Sequence, residues 1–117
     1  MAKTYRDSLS FGERIKKSKN ILKNYEGRIP MILEKSPFDK YLPRPTKTKF
    51  IIPNEFTIAM VLTILKKNLN VNDSTAIYIT TNNTILSGSL SLDSLYNKYK
   101  DADGFLYLNY CSENVFG

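Results

Sequence analysis

The residue types that most often carry catalysis are nearly missing from this chain. It contains no histidine and one cysteine, Cys111, among 117 residues. Without histidine, Ser-His-Asp catalysis, Cys-His catalysis and histidine-ligated metal sites are excluded. Cys111 has no histidine base to activate it and no partner for an internal disulfide, so a packed thiol in a reducing compartment is favoured over a nucleophile. We therefore predict a protein that is not an enzyme and has no catalytic residues.

Two aspartates near the end of the chain are the remaining candidates for chemistry. The segment Asp101-Ala102-Asp103-Gly104 resembles the beginning of a calcium loop, but the further ligands and the closing glutamate are missing. A turn that leads into a strand is the better interpretation. The sequence also has no glycine-rich phosphate loop. We expect neither a metal site nor a cofactor.

Positive charge is concentrated in the first half of the sequence. Residues 1–49 contain 13 Lys/Arg and 5 Asp/Glu, whereas residues 50–117 contain 4 and 6. This asymmetry indicates an anionic partner, namely an acidic peptide, a membrane surface or nucleic acid, although solvated lysines would explain the charge alone. No stretch has the length of a membrane-spanning helix, and the first residues lack the apolar core of a signal peptide. We expect a cytoplasmic protein.

Local patterns predict two helices before the first strand. A short helical piece is expected within residues 3–8. Ser10 and Glu13 have the spacing of a capping box, and apolar residues then recur with the helical period over residues 11–25, where lysines make the helix basic. Gly27 can end this helix.

The rest of the sequence predicts strands around one central helix. Residues 29–34 form a strand with Pro30 at its start or on an edge, and Pro53 stops a second strand at residues 49–52. Alternation places Lys49 and Ile51 on one face and Phe50 and Ile52 on the other. The remaining elements are expected at residues 57–67 (a helix that is apolar nearly all round), 76–80 (strand), 84–86 (weak strand), 92–99 (short helix) and 105–110 (strand).

This order of elements predicts an α+β protein with the β-grasp arrangement of ubiquitin. The expected architecture is a mixed four-stranded sheet crossed by one helix, with two additional N-terminal helices. A chain of 117 residues has the size of one domain. We expect a helical extension at residues 1–27, a β-grasp core at 28–111 and a C-terminal tail at 112–117.

Several short segments, in the right order, resemble the autophagy ubiquitin-like modifiers of the GABARAP type. The resemblance extends from about Phe11 to Gly117. The segments that carry it are Arg28-Ile29-Pro30, Glu34-Lys35, Lys49-Phe50-Ile51-Ile52-Pro53, Tyr99-Lys100-Asp101, Asp103-Gly104-Phe105-Leu106-Tyr107 and Ser112-Glu113-Asn114-Val115-Phe116-Gly117.

The resemblance implies conjugation to a lipid. Members of this family are joined through their terminal glycine, here Gly117 after Phe116, to phosphatidylethanolamine. Activating and conjugating enzymes of the autophagy pathway would then be partners, as would a cysteine protease that processes or deconjugates the modifier. The lipidated protein would lie on the autophagosome membrane.

The resemblance also implies a site for receptor and adaptor peptides that carry an aromatic-x-x-aliphatic motif beside acidic residues. The peptide would add a strand to the second strand of the sheet. Positions that match the aromatic pocket are Lys17, Ile21, Pro30, Ile32, Lys49, Ile51 and Phe105. Positions that match the aliphatic pocket are Phe50, Ile52, Pro53, Phe56, Val61 and Ile64. Positions near the acidic residues are Arg28, Lys47 and Lys49.

The residues themselves agree with this site, because edge-strand addition needs alternate side chains that enter two different pockets. Without the resemblance, core packing would be the favoured interpretation of each apolar position. The sequence departs from the family at Lys17, where an acidic residue is common, and at Thr46 and Asn68. These positions bear on motif preference.

Three other functions remain open. A nucleic-acid-binding domain would need exposed aromatic residues among lysines on one sheet face, whereas the tyrosines here are scattered. An enzyme without histidine would need a pocket that encloses two carboxylates. An unconjugated ubiquitin-like adaptor is the third alternative, and the terminal glycine argues against it. We expect no nucleic-acid partner.

Overall fold

The computed structural model describes residues 3–113. Four helices are present, namely α1 (Tyr5–Ser8), α2 (Phe11–Asn24), α3 (Ile58–Leu69) and α4 (Leu92–Tyr99). Five strands are present, namely β1 (Arg28–Lys35), β2 (Lys49–Pro53), β3 (Ile77–Thr81), β4 (Thr84–Ile85) and β5 (Leu106–Ser112). The predicted α+β class and order of elements are confirmed.

The long N-terminal helix begins as its sequence predicts. The hydroxyl of Ser10 accepts from the backbone N–H of Glu13, and the Glu13 carboxylate accepts from the N–H of Ser10, which completes the capping box. The helix ends at Asn24, and Gly27 follows with a φ of 75°, a conformation that favours glycine. The chain then turns directly into β1.

The sheet has the strand order β2-β1-β5-β3-β4. The two central strands, β1 and β5, run parallel, and the three other pairings are antiparallel. The sheet has five strands and not four, because the weak strand predicted at residues 84–86 also joins it: Thr84 and Ile85 pair with Thr81 and Thr80 after a turn at Asn82 and Asn83. Both asparagines have positive φ, as the two central residues of a type I′ hairpin turn require.

Pro30 is accommodated within β1, although that strand lies inside the sheet. It faces Ile51 of β2, and the parallel pairing with β5 begins one residue later, at Met31 and Leu106. The proline therefore precedes the part of the strand that is paired on both sides.

Helices cover both faces of the sheet. The larger core lies between the sheet and the helices α3 and α4, and it includes Met31, Val61, Leu65, Leu95 and Leu106. On the opposite face, α2 places Ile21 against Ile32 and Phe105. Within residues 3–113, no helix combines the length and the apolar character that crossing a bilayer requires.

Candidate functional site

Strand β2 forms one edge of the sheet, and its side chains alternate between the two faces. Phe50 and Ile52 are buried in the larger core, whereas Lys49 and Ile51 are half-buried on the opposite face. The predicted alternation is therefore observed. An edge strand has unpaired backbone groups on its outer side that another strand can use.

Most of the predicted aromatic-pocket residues come together on the α2 side of this edge. Ile32 and Phe105 are 0% exposed and Ile21 is 5% exposed, and the side chain of Ile51 packs against this cluster. Pro30 is fully buried opposite Ile51. The buried members therefore form one apolar cluster, the α2-side cluster, and Ile51 lies partly exposed beside it.

The two lysines assigned to the same pocket are positioned differently from each other. Lys49 faces Ile32 across the β1–β2 pairing, which places it beside the cluster. Lys17 is exposed on α2 and lines a separate shallow depression with Glu13, Lys16 and Asn20. Lys17 lies four residues before Ile21 on the same helix, so the two share a helix face, and its assignment to the pocket stays a prediction.

The predicted aliphatic-pocket residues gather on the α3 side. Phe50, Ile52 and Val61 belong to the larger core, and the half-buried side chains of Phe56 and Ile64 pack against it. Pro53 is half-buried at the end of β2. The predicted aromatic-pocket residues Ile21, Ile32, Ile51 and Phe105 and the predicted aliphatic-pocket residues thus lie on opposite faces of the sheet, at its β2 edge.

The predicted basic residues lie along this edge. Nη1 of Arg28 donates to the backbone carbonyl of Ile51 at 3.1 Å. The ammonium group of Lys47 lies 4.9 Å from the centre of the Phe50 ring, within the range of a cation–π contact. Cationic groups therefore lie beside both apolar clusters.

Sequence reasoning missed Tyr5. Its ring packs edge-on against Phe105 with 5.1 Å between the ring centres, and its backbone N–H donates to the Glu34 carboxylate at 2.8 Å. These contacts hold α1 over the α2-side cluster. The only sequence signal for this contact was an aromatic residue, Tyr5, within the short helical piece predicted at residues 3–8. None of the four residues of α1 is fully buried.

The turn at Asp101–Gly104 positions Phe105. The Asp103 carboxylate is fully buried, accepts from the Phe105 backbone N–H at 2.9 Å and from the Tyr107 hydroxyl, and pairs with Arg14 at 3.1 Å. Burial, together with this hydrogen bond, raises the pKa of the Tyr107 hydroxyl far above its usual value. The turn predicted in place of a calcium loop is present, and among the described residues no cluster of potential metal ligands was found.

The cleft beside this turn contains two carboxylates, the feature that an enzyme without histidine would need. Asp103 is paired as described above, and Asp101 forms a 2.8 Å ion pair with Arg6. Burial raises the pKa of the Cys111 thiol, and the nearby Asp39 carboxylate raises it further. Both aspartates are therefore held in ion pairs, and the raised pKa of Cys111 favours the thiol over the more nucleophilic thiolate.

A nucleic-acid-binding sheet face would present exposed aromatic rings. In residues 3–113 the exposed aromatic side chains are Phe11, Tyr25, Phe38 and Tyr41. They lie on or beside α2 and in the loop between β1 and β2, and none is on a strand. On the strands, Tyr78 and Tyr107 are half-buried, so the exposed rings of the described residues lie away from the sheet face on which such a domain stacks bases.

The fold, with its parallel central strands, crossing helix and two added helices, defines a ubiquitin-like protein. Residues 13–117 match the family model described as "Autophagy protein Atg8 ubiquitin like". The chain belongs to the Atg8 family of ubiquitin-like autophagy proteins.

Known proteins from distant organisms agree with this assignment. Autophagy-related protein 8h of Arabidopsis thaliana is 37% identical over 117 residues, which cover 100% of this chain and 98% of that protein. Microtubule-associated protein 1 light chain 3 gamma of Homo sapiens is 35% identical over 94 residues, or 80% of this chain and 64% of that protein. The crystal structure of Trypanosoma brucei ATG8 superposes with a TM-score of 0.89 at 29% identity and covers 97% of each chain.

Proposed function

We propose that this Atg8-family protein binds aromatic-x-x-aliphatic peptides along β2 and is conjugated through Gly117 to phosphatidylethanolamine. The main support for the peptide site is that β2 lies at the edge of the sheet and its side chains alternate between the two faces. Ile51 borders one apolar cluster, and Phe50 and Ile52 enter another. A peptide strand paired with β2 would place alternate side chains toward the same two regions.

The other edge of the sheet is a poorer candidate. Strand β4 has two residues, whereas β2 has five. A longer strand offers more backbone groups to an incoming peptide. The basic groups of Arg28, Lys47 and Lys49 near β2 would attract the acidic residues that flank such a motif.

Calorimetry with a synthetic aromatic-x-x-aliphatic peptide tests the site. We expect micromolar affinity, about 8 kcal/mol. Ile51→Ala should weaken binding by about 1–2 kcal/mol, roughly five- to thirtyfold, because it removes a contact at the rim of the aromatic pocket. Ile85→Ala is the matched control, because it makes the same change at an exposed position on the opposite edge.

The result that would reject the β2 site is equal affinity in the wild type and in Ile51→Ala. Equal losses of peptide affinity in Ile51→Ala and Ile85→Ala would also count against the site, because the loss would then not depend on a position at the β2 edge. Circular dichroism should show that both variants remain folded.

The proposed conjugation forms an amide at the Gly117 carboxyl group. ATP would activate this carboxylate as an acyl-adenylate with release of pyrophosphate, and an enzyme thiol would displace AMP to give a thioester. The amine of phosphatidylethanolamine would then attack the thioester carbonyl and release the thiol. Glycine leaves that carbonyl unhindered. The two acyl chains of the lipid would hold the protein on the membrane more firmly than one chain could.

A reconstituted reaction with the pathway's activating and conjugating enzymes, ATP and phosphatidylethanolamine vesicles tests this step. Gly117→Ala and deletion of Gly117 should both lose the lipidated product while peptide binding remains intact. The conjugation proposal fails if the wild type gives no product where another family member does, or if the deletion is conjugated equally well. Retained peptide binding in that case would instead support the unconjugated adaptor.

The proposed division of the chain follows from these roles. Residues 1–27 are the helical extension, residues 28–111 the β-grasp core, and residues 112–117 the tail for conjugation. The proposed protein is a modifier and not an enzyme, is cytoplasmic before conjugation and lies on the autophagosome membrane afterwards. Gly117 and Phe116 lie outside the described residues. A processing or deconjugating cysteine protease would be a further partner.

A further inference from the structure

Two aromatic side chains project from the loop between β1 and β2. Phe38 is 75% exposed and Tyr41 is 70% exposed, the largest values among the exposed large apolar residues of the described chain. Single exposed apolar residues are common on protein surfaces. Two rings three positions apart in a structured loop form a local feature with an apolar body and, in tyrosine, a polar tip.

The loop is anchored, so the outward direction of both rings is a property of the fold. Asp39, between the rings, is 3% exposed, and its carboxylate accepts from the backbone N–H groups of Tyr41 and Leu42 at 2.8 Å each. Leu42 is buried in the larger core. With Asp39 and Leu42 directed inward, Phe38 and Tyr41 are left in solvent.

The same anchor joins the loop to the end of the last strand. The Asp39 carboxylate also accepts from the backbone N–H of Ser112, and the N–H of Ser36 donates to the carbonyl of Tyr110 at 2.8 Å. Because β1 and β5 are parallel, the loop after β1 and the segment after Ser112 leave the sheet at the same end. Gly117 is five residues beyond Ser112, a span of at most about 17 Å for an extended chain.

The charges around the rings favour an anionic surface. Lys40 lies between the rings in sequence and Arg44 follows them, and both are exposed. The one acidic residue of this loop, Asp39, is buried and accepts backbone hydrogen bonds. Basic residues are attracted to an anionic bilayer, and tyrosine rings favour its interfacial region.

We propose that Phe38 and Tyr41 insert into the headgroup region of an anionic membrane when the protein is anchored to that membrane at Gly117. The inference rests on the proposed conjugation, which brings the bilayer within reach of the end of β5. The rings then orient the protein by placing the loop end of the sheet against the membrane. The insertion is noncovalent and leaves the β2 edge to its peptide.

Tryptophan fluorescence tests the proposal, because the chain contains no tryptophan. Phe38→Trp and Tyr41→Trp each introduce a single reporter. Tyr25→Trp is the matched control, since Tyr25 is 47% exposed and lies at the opposite end of β1 from the loop. The eight residues of β1 place its two ends about 23 Å apart.

Anchoring is done chemically, so that no conjugating enzyme is needed. Gly117→Cys in each reporter variant is coupled to a maleimide lipid in vesicles of phosphatidylcholine with or without phosphatidylserine. The chain without this change controls for labelling of Cys111, which is buried. We expect the emission of both loop reporters to shift to the blue and to be quenched by brominated lipid, most strongly with phosphatidylserine, while the Tyr25→Trp emission stays unchanged.

The proposal is overturned if coupling is complete and neither loop reporter shifts, or if the control shifts as much as they do. Equal shifts on vesicles with and without phosphatidylserine would contradict the choice of an anionic surface. Failure of the enzymatic reaction at Gly117 would reject the proposed conjugation but would not change these spectra. The two failures are therefore distinguishable.

Discussion

Nη1 of Arg28 lies 3.1 Å from the backbone carbonyl oxygen of Ile51 and donates a hydrogen bond to it. The N–H of Leu33 donates to the carbonyl of Thr48, so that carbonyl points toward β1. Successive carbonyls in a strand point to opposite sides, and the carbonyl of Ile51 therefore points away from β1. Arg28 thus covers an acceptor on the outer side of β2 that an added strand would use.

Arg28→Gln should change how peptide binding depends on acidic flanking residues. The substitution removes a positive charge beside the site and also exposes the Ile51 carbonyl. Calorimetry compares the binding free energies of an acidic-flanked peptide and a neutral one. We expect the difference between them to be smaller in Arg28→Gln than in the wild type, by about 0.5–1 kcal/mol. The neutral peptide should bind at least as tightly as it binds to the wild type. Lys98→Gln on α4 controls for the loss of one charge, and an unchanged preference in Arg28→Gln would contradict the role of Arg28.

Added salt should separate the contribution of charged groups to peptide binding from the contribution of apolar contacts. Exposed charges are screened over about 8–10 Å at 0.10–0.15 M salt, whereas apolar contacts are not weakened in this way. The affinity of the acidic-flanked peptide should fall as salt rises, toward that of the neutral peptide. Parallel titrations of both peptides measure this, and equal salt sensitivity would rule out a role for Arg28, Lys47 and Lys49.

Phe50→Ala should affect stability as well as binding. Phe50 is buried in the larger core, so its truncation leaves a cavity and should lower the free energy of unfolding by about 3 kcal/mol. Ile51 is half-buried, and Ile51→Ala should cost less than half as much. Urea unfolding of both variants provides the comparison. Similar losses would mean that the two faces of β2 are equally important to the fold.

Gly104→Ala should destabilise the protein by about 3 kcal/mol. Gly104 has a φ of 90°, and an added Cβ would lie 2.4 Å from Oγ of Ser18. That hydroxyl donates to the Asp103 carbonyl at 2.6 Å and joins α2 to the start of β5, next to Phe105. Gly12→Ala is the control, because a Cβ there meets nothing within 4 Å and should stabilise α2 by roughly 0.5–1 kcal/mol. If the unfolding curves of both variants match that of the wild type, the close approach between residue 104 and Ser18 is refuted.

The Asp39 carboxylate should make stability depend on pH at the acidic end. Burial alone would raise its pKa, but the backbone N–H groups of Leu42, Ser112 and Tyr41 outweigh burial and lower the pKa from 3.8 to about 2. A pKa that is lower in the folded state gives stability above the unfolded value, which is lost as pH falls through the folded value.

Asp39→Asn tests this prediction. The wild type should be more stable than the variant at pH 6, and the difference should shrink by roughly 2 kcal/mol as pH falls from about 4 to about 2. Urea unfolding across this range measures the difference. If the difference stays constant with pH, the carboxylate is not held in its charged form by these hydrogen bonds.

The sequence by itself determined the elements whose signals are local. The capping box at Ser10 and Glu13 begins α2 where predicted, and α3 begins at Ile58, one residue after its predicted start. The alternation of Phe50 and Ile51 assigned the faces of β2 correctly. Helix α3 ends at Leu69, two residues after the predicted end, and β5 continues to Ser112 instead of ending at residue 110. Ends of elements depend on partners that the local sequence does not contain.

Only the tertiary structure decided which groups meet across the chain. It showed that β2 is an edge and that Tyr5 packs on Phe105. It also joined Asp39 to Ser112, 73 positions away in sequence. Helical periods and caps are set by residues within a few positions of one another, so the sequence displays them directly. Strand order and long-range hydrogen bonds arise from packing among distant segments, and no local pattern specifies them.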